Sequence, residues 1–413
     1  MVIFSHPTGN ANSRAVADGL LRQQLLSAFH TSIAIFPDSP LDKLASVRGF
    51  DELKRRKFNT DLERFTVAHP LLEVGRMLAM KAGFSNLLTH ETGMFCIDAI
   101  YNGIDKIVAE SLSQDRSGAK AVYAYEDEAL LSFKNAKLQG LQCFYDLPIG
   151  YWRSARTLLQ AELEKWPDWA STLGGFKDSE SKLAKKDEEL LLADRIFVAS
   201  SFTAKTLSDH PNKLAPIEVI PYGFPDVIGQ RTYERTSKKL KLLFVGGLSQ
   251  RKGLANVFAA VDKLSNYVEL TVVGGKGSEE CVALNKELRK HTWIPSLPHQ
   301  EILDLMREHD VLLFPSLFEG FGLVITEAMS QGTPVITTGR TAGIDLIKNG
   351  HNGWLIEAGS TEALHQAIEN LIEQPDLIER TGMNAMETAR QRPWERYGSE
   401  LAIAVINAIN LQR

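Results

Sequence analysis

The sequence has few cysteines, and they form no pattern typical of a disulfide framework or a metal site. Among 413 residues there are three, Cys96, Cys143 and Cys281, far apart along the chain. An odd number of dispersed cysteines without a C-x-x-C pair argues against disulfide bonds and against a zinc site. A reducing compartment therefore suits this chain best.

Long uncharged hydrophobic runs are also missing. No segment approaches the roughly 20 apolar residues of a membrane span. The opening MVIFSHPTGN reaches a polar loop after a few apolar residues, too few for a signal peptide. We therefore expect a cytoplasmic protein that at most lies on the inner face of a membrane.

The sequence lacks a basic excess and several ligand-binding motifs. Lysine and arginine number 46 against 51 acidic residues, a net charge of -5 that gives no general basis for binding nucleic acid. The ten histidines form no H-x-x-H or H-E-x-x-H motif, and no D-x-D pattern follows a strand, so we expect no metal. No G-x-G-x-x-G fingerprint with a downstream acidic residue follows a strand, which leaves hydride transfer unsupported. We expect no cofactor.

What the sequence does contain is a regular alternation of short apolar runs with helical stretches, which is typical of βαβ units around parallel sheets. Its length, with 44% apolar and 23% charged residues, favours two domains. In the first half the pattern predicts strands at 2–5, 32–36, 121–125, 143–147, 195–200 and 217–223. It predicts helices between them, including 13–26, 129–138 and 182–193.

A polar segment at 229–240 has the composition of a linker and precedes a second α/β unit. We predict domains at 1–228 and 241–393, with a terminal amphipathic helix over 394–413. The second unit has apolar strands at 241–247, 269–275, 310–316 and 333–338. Glycines follow them, and ligands of open parallel sheets bind beyond the carboxyl ends of the strands. A single turn glycine is ambiguous, because such turns also use glycine for a positive φ.

The most informative stretch is PSLFEGFGLVITEAMSQGTPVITT at 315–338. Glu319 lies in a glycine-bracketed loop, and Glu327 lies within a helix that must begin near Gly322. The free N–H groups at that helix start favour a phosphate. Glu327 shares its helix with apolar residues, so its carboxylate needs partners, and ribose hydroxyls would serve. Either glutamate alone would more often be a solvated surface residue.

This stretch resembles the E-x(7)-E signature of retaining GT-B glycosyltransferases of family 4. Other family landmarks follow the same order, at 193–207 (ADRIFVASSFTAKTL), 219–224 (VIPYGF), 244–254 (FVGGLSQRKGL) and 343–356 (GIDLIKNGHNGWLI, with Asp345 where Glu is usual). The resemblance is strong over about 190–360 and weak before that. It implies two facing Rossmann-like domains, a GT-B fold, with the terminal helix crossing back onto the N-terminal domain.

The resemblance also implies roles for individual residues. Glu327 should bind ribose hydroxyls, Glu319 the hydroxyls of the donor sugar, and Lys252 the diphosphate. The implied activity is retaining, metal-independent transfer of a hexose from a UDP- or GDP-sugar to a glycan, lipid-linked or small-molecule acceptor. The predicted donor-binding set is Gly246, Gly247, Arg251, Gly274, Gly275, Lys276, Glu319, Gly320, Phe321, Gly322, Leu323, Val324 and Glu327.

The sequence departs from the family pattern in the phosphate loop. Relatives usually carry arginine five residues before the lysine, where this chain has Gly247. Arg251 is the first candidate to supply the missing charge and Lys276 the second. The simpler alternative is that the Arg251 side chain points to solvent.

In the N-terminal domain a histidine expected after a middle strand is absent. Asp146 lies near the place of that histidine, so we predict it as a catalytic residue together with Glu319 and Lys252. We assign Gly9, Asn10 and Glu126 to the acceptor side. A carboxylate after a strand is commonly only a turn or cap residue.

Two basic segments bear on the acceptor. Lys54–Lys57 with Phe58 and Phe65, and Tyr151–Arg156, would suit anionic lipid headgroups or an acidic glycan. Such runs are more often solvated helix faces.

Alternative functions are a non-catalytic nucleotide-sugar-binding scaffold, a GT-B epimerase and a phosphorylase-like protein. The sequence leaves the base, sugar, acceptor and oligomeric state open.

Overall fold

The computed structural model describes residues 1–39, 42–43, 56–113, 118–227, 229–233 and 237–411. Parallel strands make up two sheets. The first contains β1 Val2–Ser5, β2 Leu26–Thr31, β3 Thr66–Ala68, β4 Ala121–Tyr125, β5 Gln142–Leu147, β6 Arg195–Val198 and β7 Ile217–Val219. The second contains β8 Leu240–Val245, β9 Val268–Val273, β10 Thr292–Ile294, β11 Val311–Phe314, β12 Val335–Thr338 and β13 Trp354–Ile356.

Helices cover both faces of each sheet, as parallel strands require. Those of the first domain are α1 Ala11–Arg22, α2 Leu71–Ala82, α3 Ile97–Leu112, α4 Leu130–Leu138, α5 Trp152–Lys165, α6 Glu180–Leu192 and α7 Ser201–Thr206. The second domain has α8 Leu254–Lys263, α9 Val282–Leu288, α10 His299–Glu308, α11 Leu323–Ser330, α12 Gly343–Leu346, α13 Thr361–Glu373 and α14 Asp376–Arg390. A last helix, α15, spans Trp394–Asn410.

The strand orders are β3-β2-β1-β4-β5-β6-β7 and β10-β9-β8-β11-β12-β13. In each sheet the order reverses beside the first strand, between β1 and β4 and between β8 and β11. Open α/β sheets bind ligands at such switch points, beyond the carboxyl ends of the strands. The topology therefore places the candidate site where β8 and β11 end.

The strand predicted at 32–36 is wrong. The strand is Leu26–Thr31, which pairs with β1. The helix before it ends at Arg22, four residues before its predicted end, and Gln24 turns the chain with a φ of 55°. Ile33 and Ile35 are buried, but as a small satellite cluster. Their apolar alternation therefore reflects burial without pairing into the sheet. Three strands that we did not predict, β3, β10 and β13, are each three residues long.

The predicted linker is partly docked on the second domain. The Arg231 guanidinium donates to the Thr333 hydroxyl at 2.6 Å and to the His309 carbonyl at 2.6 Å. The Tyr233 hydroxyl donates to the Gly332 carbonyl at 2.8 Å. Residues 228 and 234–236 lie outside the described part of the chain.

The terminal helix crosses back onto the first domain, as predicted. It packs against α1, and glycines form the contact: a Cβ added to Gly19 would lie 2.1 Å from the Gly398 carbonyl oxygen. The side-chain amide of Gln142 in β5 donates to the Ala408 carbonyl at 3.3 Å. These contacts confirm the two-domain architecture with a crossing helix. Among the described residues, no helix is long and apolar enough to cross a membrane.

Candidate functional site

A cleft of about 450 Å³ opens where β8 and β11 end. The first domain contributes Asn10, Asn12, Pro148 and Tyr222 to its wall. The second contributes Val245, Gly246, Gly247, Arg251, Lys252, Phe314, Glu319, Phe321, Gly322, Leu323 and Val324. The fold thus brings together most of the residues that the sequence assigns to the donor.

Glycine keeps the base of this cleft open. Gly246 follows β8 with a φ of 147°, and Gly247 would place an added Cβ in open space. Gly274, after β9, has a φ of 150°, and its added Cβ would lie 1.9 Å from the Gly246 carbonyl oxygen. Only glycine tolerates such backbone conformations without strain. The two strand ends therefore approach each other closely and leave backbone facing the cleft.

Helix α11 begins at the cleft with an N-terminus that no side chain caps. Its first flanking residue, Gly322, has a φ of 86°, and an added Cβ would lie 2.8 Å from the Phe314 ring. Backbone N–H groups at such a start, together with the helix dipole, favour an anion. The helix begins and ends as its sequence predicts.

Two cations converge on one carboxylate at the cleft wall. The Lys252 ammonium contacts Glu319 Oε2, and Arg251 Nη1 lies 3.2 Å from the same oxygen. Arg251 also donates to the Phe318 carbonyl at 2.7 Å. Burial, with a smaller contribution from Arg251, lowers the pKa of Lys252 well below its usual range, and burial lowers the pKa of Arg251. Both shifts arise because burial disfavours the charged forms of the two side chains.

The second candidate cation lies elsewhere. The Lys276 ammonium pairs with Glu279 at 3.1 Å and lies 4.5 Å from the centre of the Trp293 ring. Lys276 and Trp293 line a separate cavity, together with Asn285, Leu288, Arg289 and His291. Gly275, just before it, accepts the backbone N–H of Leu248 at 3.0 Å. Of the two candidates, Arg251 is the one that lines the cleft.

Glu327 lies one turn along α11 from the cleft, beside a second cavity of about 380 Å³. Its Oε1 is 3.0 Å from Nε2 of His299. Leu323 lines both cavities, so the two lie next to each other. The sequence gives no local signal for this contact, because His299 and Glu327 are 28 residues apart.

On the first-domain side, Asn10 precedes α1 and lines the cleft. The Gly9 carbonyl accepts a hydrogen bond from Arg14 at 2.7 Å. Asn12, which we did not predict, also lines the cleft, and its amide donates to the hydroxyls of Tyr125 at 3.3 Å and Tyr222 at 3.5 Å.

The position of Asp146 corrects its assignment to the catalytic set. Its side chain is 2% exposed and is not among those lining the cleft. Oδ2 accepts a hydrogen bond from the Tyr123 hydroxyl at 2.6 Å. Burial raises its pKa to about 7. In this structure Asp146 is a buried internal acceptor within β5.

Glu126 is likewise occupied within the domain. It is 8% exposed and 3.3 Å from the Lys186 ammonium, in a network with Asp127, Asp178 and Lys182. Burial raises the pKa of Glu126 to about 7. The described cavities give it no contact with the cleft, so its acceptor role also lacks a geometric basis.

The two basic segments are largely committed to internal contacts. Tyr151 is buried, and Trp152 Nε1 and Arg153 Nη2 donate to Asp187 at 2.8 Å and 2.7 Å. Arg56 donates to the Pro7 carbonyl at 3.0 Å and pairs with Glu73. Lys54 and Arg55 lie outside the described residues. The segment at 151–156 therefore uses part of its polar surface for contacts within the first domain.

Two clusters of side chains in the described part of the chain could hold a metal ion, His90 with Glu91 and Asp178, and Asp262 with Glu287 and His291. Neither includes a residue that lines the cleft. That the reaction needs no metal remains a prediction.

Comparisons with known proteins agree with this geometry. Residues 230–388 match the family model for glycosyl transferases group 1. The chain is 27% identical over 248 residues to the capsular polysaccharide biosynthesis glycosyltransferase CapM of Staphylococcus aureus, an alignment that covers 56% of this chain and 64% of CapM. For eight curated relatives, the aligned part covers between 25% and 64% of the relative's own length.

Solved structures match over the whole chain. Sucrose-phosphate synthase from Thermosynechococcus elongatus superposes with a TM-score of 0.69 at 16% identity, covering 99% of each chain. HepE of Anabaena in complex with UDP-glucose superposes with a TM-score of 0.62 at 16% identity, covering 98% of this chain and 99% of HepE. The predicted GT-B fold is therefore confirmed.

The burial of Asp146 leads to a testable pH dependence. A carboxyl whose pKa rises on folding stabilises the protein below its unfolded pKa, and that contribution is lost as pH rises through the folded value. For Asp146 the window runs from about 4 to about 7. Asparagine cannot ionise, so Asp146→Asn should become more stable than wild type across this window, by at most about 4 kcal/mol. Thermal unfolding from pH 4 to 8 measures the difference.

The control is Asp304→Asn, which changes an exposed carboxylate. It should unfold with the same pH dependence as wild type. A stability difference between Asp146→Asn and wild type that does not change with pH would contradict the assignment of a raised pKa.

Proposed function

We propose that this chain, whose residues 230–388 form a group 1 glycosyltransferase domain within a GT-B fold, transfers a hexose from a UDP- or GDP-sugar to an acceptor with retention of configuration and without a metal ion. The observation that carries the proposal is the convergence of Arg251 and Lys252 on the single carboxylate of Glu319. This charge excess lies in a cleft that also contains the uncapped start of α11.

The charges suit a nucleoside diphosphate. In a partly dry site the attraction between opposite charges is stronger than in water, and a leaving diphosphate needs more than one cation. With the diphosphate on Arg251, Lys252 and the backbone of α11, Glu319 is released from its ion pairs. Its carboxylate then accepts hydrogen bonds from hydroxyls of the donor sugar.

The two adjacent cavities suit the rest of the donor. The diphosphate occupies the cleft, and the ribose lies across Leu323. There the Glu327 carboxylate accepts hydrogen bonds from the ribose hydroxyls. His299, 3.0 Å from Glu327, holds that carboxylate in place. HepE, a structural neighbour, was solved with UDP-glucose, which supports a nucleotide-sugar donor of this kind.

The acceptor approaches from the first domain, past Asn10, Asn12 and Pro148. In the proposed reaction it attacks on the face from which the diphosphate departs. The protein positions both groups and stabilises the charge that develops, so no protein nucleophile is needed. CapM belongs to capsular polysaccharide biosynthesis, which supports a glycan or lipid-linked acceptor.

A second candidate function is a nucleotide-sugar-binding scaffold without transfer activity. The absence of the expected histidine and the burial of Asp146 favour it. Slow hydrolysis of the donor separates the two functions, because a scaffold should show none. An epimerase gains no comparable support.

The roles of the two glutamates can be tested with a panel of nucleotide sugars. A ligand that binds the folded state raises the melting temperature, so thermal shift identifies the donor. Glu327→Ala should weaken binding of the free nucleoside diphosphate about tenfold, since it loses the ribose hydroxyls. Glu319→Gln should lower turnover more than nucleotide affinity. Nucleotide binding by Glu327→Ala at wild-type affinity would refute the ribose assignment, and a panel without any binder would refute the donor proposal.

Arg251 and Lys276 provide a matched pair for the missing phosphate cation. A charge-assisted hydrogen bond contributes roughly 1.5–3 kcal/mol, so Arg251→Ala should lower donor turnover by at least about tenfold. Lys276→Ala should have a small effect, because its ammonium faces Glu279 and Trp293. Steady-state kinetics on both variants measure this. The reverse ranking would transfer the role to Lys276.

Helix α2 and the loop after it support peripheral contact with an anionic membrane better than the two basic segments do. Large apolar side chains are exposed there, among them Leu71 (85%), Leu78 (62%), Phe84 (60%), Met94 (65%) and Ile97 (60%). Lys81 lies on the same helix, whose acidic residue Glu73 is buried against Arg56. Exposed apolar side chains with nearby cations suit the headgroup region of an anionic bilayer.

Vesicle co-sedimentation tests the membrane contact. The double variant Leu78→Glu/Phe84→Glu should lose most of its binding to phosphatidylglycerol-containing vesicles, because it places two carboxylates on the apolar surface. Leu138→Glu is the matched control, since Leu138 is 87% exposed on a different helix. Equal sedimentation of the double variant and this control would contradict the proposal.

A further inference from the structure

A segment of the first domain reaches into the second. It comprises α5 and two short 3-10 helices at Pro167–Thr172 and Gly174–Phe176, and we call these residues, 152–176, the strap. Trp169 is 5% exposed and packs within the apolar core of the second domain. Its ring stacks on Phe258 with centroids 5.9 Å apart, and the Cys281 thiol donates to the Asp168 carbonyl at 3.4 Å. The strap is therefore anchored in the domain that holds the two cations.

The strap also holds the loop that carries those cations. Gln250, directly before Arg251, is completely buried. Its backbone N–H donates to the Thr172 hydroxyl at 3.0 Å, and its side-chain amide donates to Glu162 Oε2 at 2.9 Å. Its side-chain oxygen accepts the backbone N–H of Ala255 at 2.9 Å. Two of the contacts that fix Gln250 thus come from the strap.

The loop on the opposite side of the ion cluster is held from the first domain as well. Phe318 packs against Phe202 with ring centroids 5.7 Å apart, in an apolar cluster that includes Leu159 and Leu173 of the strap. The Gly320 carbonyl accepts the hydroxyl of Ser200 at 2.6 Å. Both partners of the ion cluster, the cations and Glu319, therefore take their backbone positions from contacts with the first domain.

The burial of Glu162 shows that these contacts are specific. A buried carboxylate is costly unless it is paired and hydrogen-bonded. Glu162 is 6% exposed, accepts the Gln250 amide, and raises the pKa of Arg340 by its charge, against the larger lowering by burial. An apolar residue would fill the space at lower cost, but it could not accept the Gln250 N–H.

We propose that Glu162 and Thr172 are positioning residues, which act through Gln250 to hold Arg251 and Lys252 in the geometry that binds a diphosphate. The inference rests on the proposed function. The first domain then sets the shape of the anion site in the second, so the acceptor side and the diphosphate site form one coupled unit. Neither residue contacts the ligand itself.

Calorimetric titration of the full chain with UDP and with GDP tests the inference. Glu162→Ala and Thr172→Val each remove one acceptor from Gln250 and should raise the Kd of the diphosphate about tenfold, which corresponds to about 1.4 kcal/mol. Glu162→Gln and Thr172→Ser retain an acceptor and should stay within about threefold of wild type. With a donor sugar, the alanine and valine variants should raise KM more than they lower kcat.

Trp152→Phe is the matched control. It removes the hydrogen bond from the indole to Asp187, which ties the strap to α6 of the first domain. It should lower the melting temperature without changing the Kd. A purely structural role would instead weaken binding in proportion to lost stability in all variants, the conservative ones included, and would overturn the inference.

The two proposals fail in different ways. Absence of UDP and GDP binding by the wild type would refute the proposed function. Wild-type binding combined with unchanged affinity in both Glu162→Ala and Thr172→Val would overturn the positioning role and leave the proposed function intact.

Discussion

The sharing of Glu319 between Arg251 and Lys252 is the interaction on which the rest of the site depends. Two partly buried cations with one carboxylate leave an uncompensated positive charge, and burying such a charge is unfavourable. The lowered pKa of Lys252 reflects this cost. A fold keeps such an arrangement only where its surroundings hold it in place, and here contacts from both domains do so. An incoming polyanion would compensate that charge.

Below the cleft, the described part of the first domain contains a buried polar cluster around Asp146. Asp146 lies below the cleft among tyrosines of three different segments: Tyr123 in β4, Tyr222 after β7 and Tyr397 in α15. The Asp146 charge helps to raise the pKa of all three hydroxyls, after burial. Tyr222 also contacts Phe321 of the donor loop, with ring centroids 4.8 Å apart. Asp146 is therefore bonded to the sheet through Tyr123, and its charge also acts on hydroxyls after β7 and in the terminal helix.

The sequence predicted the second domain better than the first, for physical reasons. Strands β8, β9, β11 and β12 are buried on both faces, so their apolar runs are nearly continuous and the glycines after them mark their ends. The run at 32–36 is also largely apolar, yet Ile33 and Ile35 fill a satellite cluster and Phe36 packs in the main core, without joining a strand. Local pattern cannot separate these cases, because both bury the same residue types.

The residues of the second domain that line the cleft were predictable because they lie within short segments with fixed spacing, at a helix start and in the loop after β8. The strap and His299 were not. Gln250 and Glu162 are 88 positions apart, and His299 and Glu327 are 28 apart. Such pairs exist only after the chain has folded. Asp146 shows the opposite error, since a polar residue at a strand end resembles a ligand-binding group whether it faces the cleft or the interior.

Besides the strap and the terminal helix, further contacts between the domains determine how closely the two domains approach each other. Asp345 accepts the backbone N–H of Ser201 at 2.8 Å and also its hydroxyl, at the start of α7 in the other domain. An acidic side chain at a helix N-terminus is stabilising, because it satisfies free N–H groups and complements the helix dipole. Glutamate would be one methylene longer and would hold α7 further from α12, so the aspartate at this position allows a closer approach. Since Ser200 of the same turn donates to Gly320, that approach also fixes the backbone beside Glu319, and the ion cluster and the domain interface become parts of one structure.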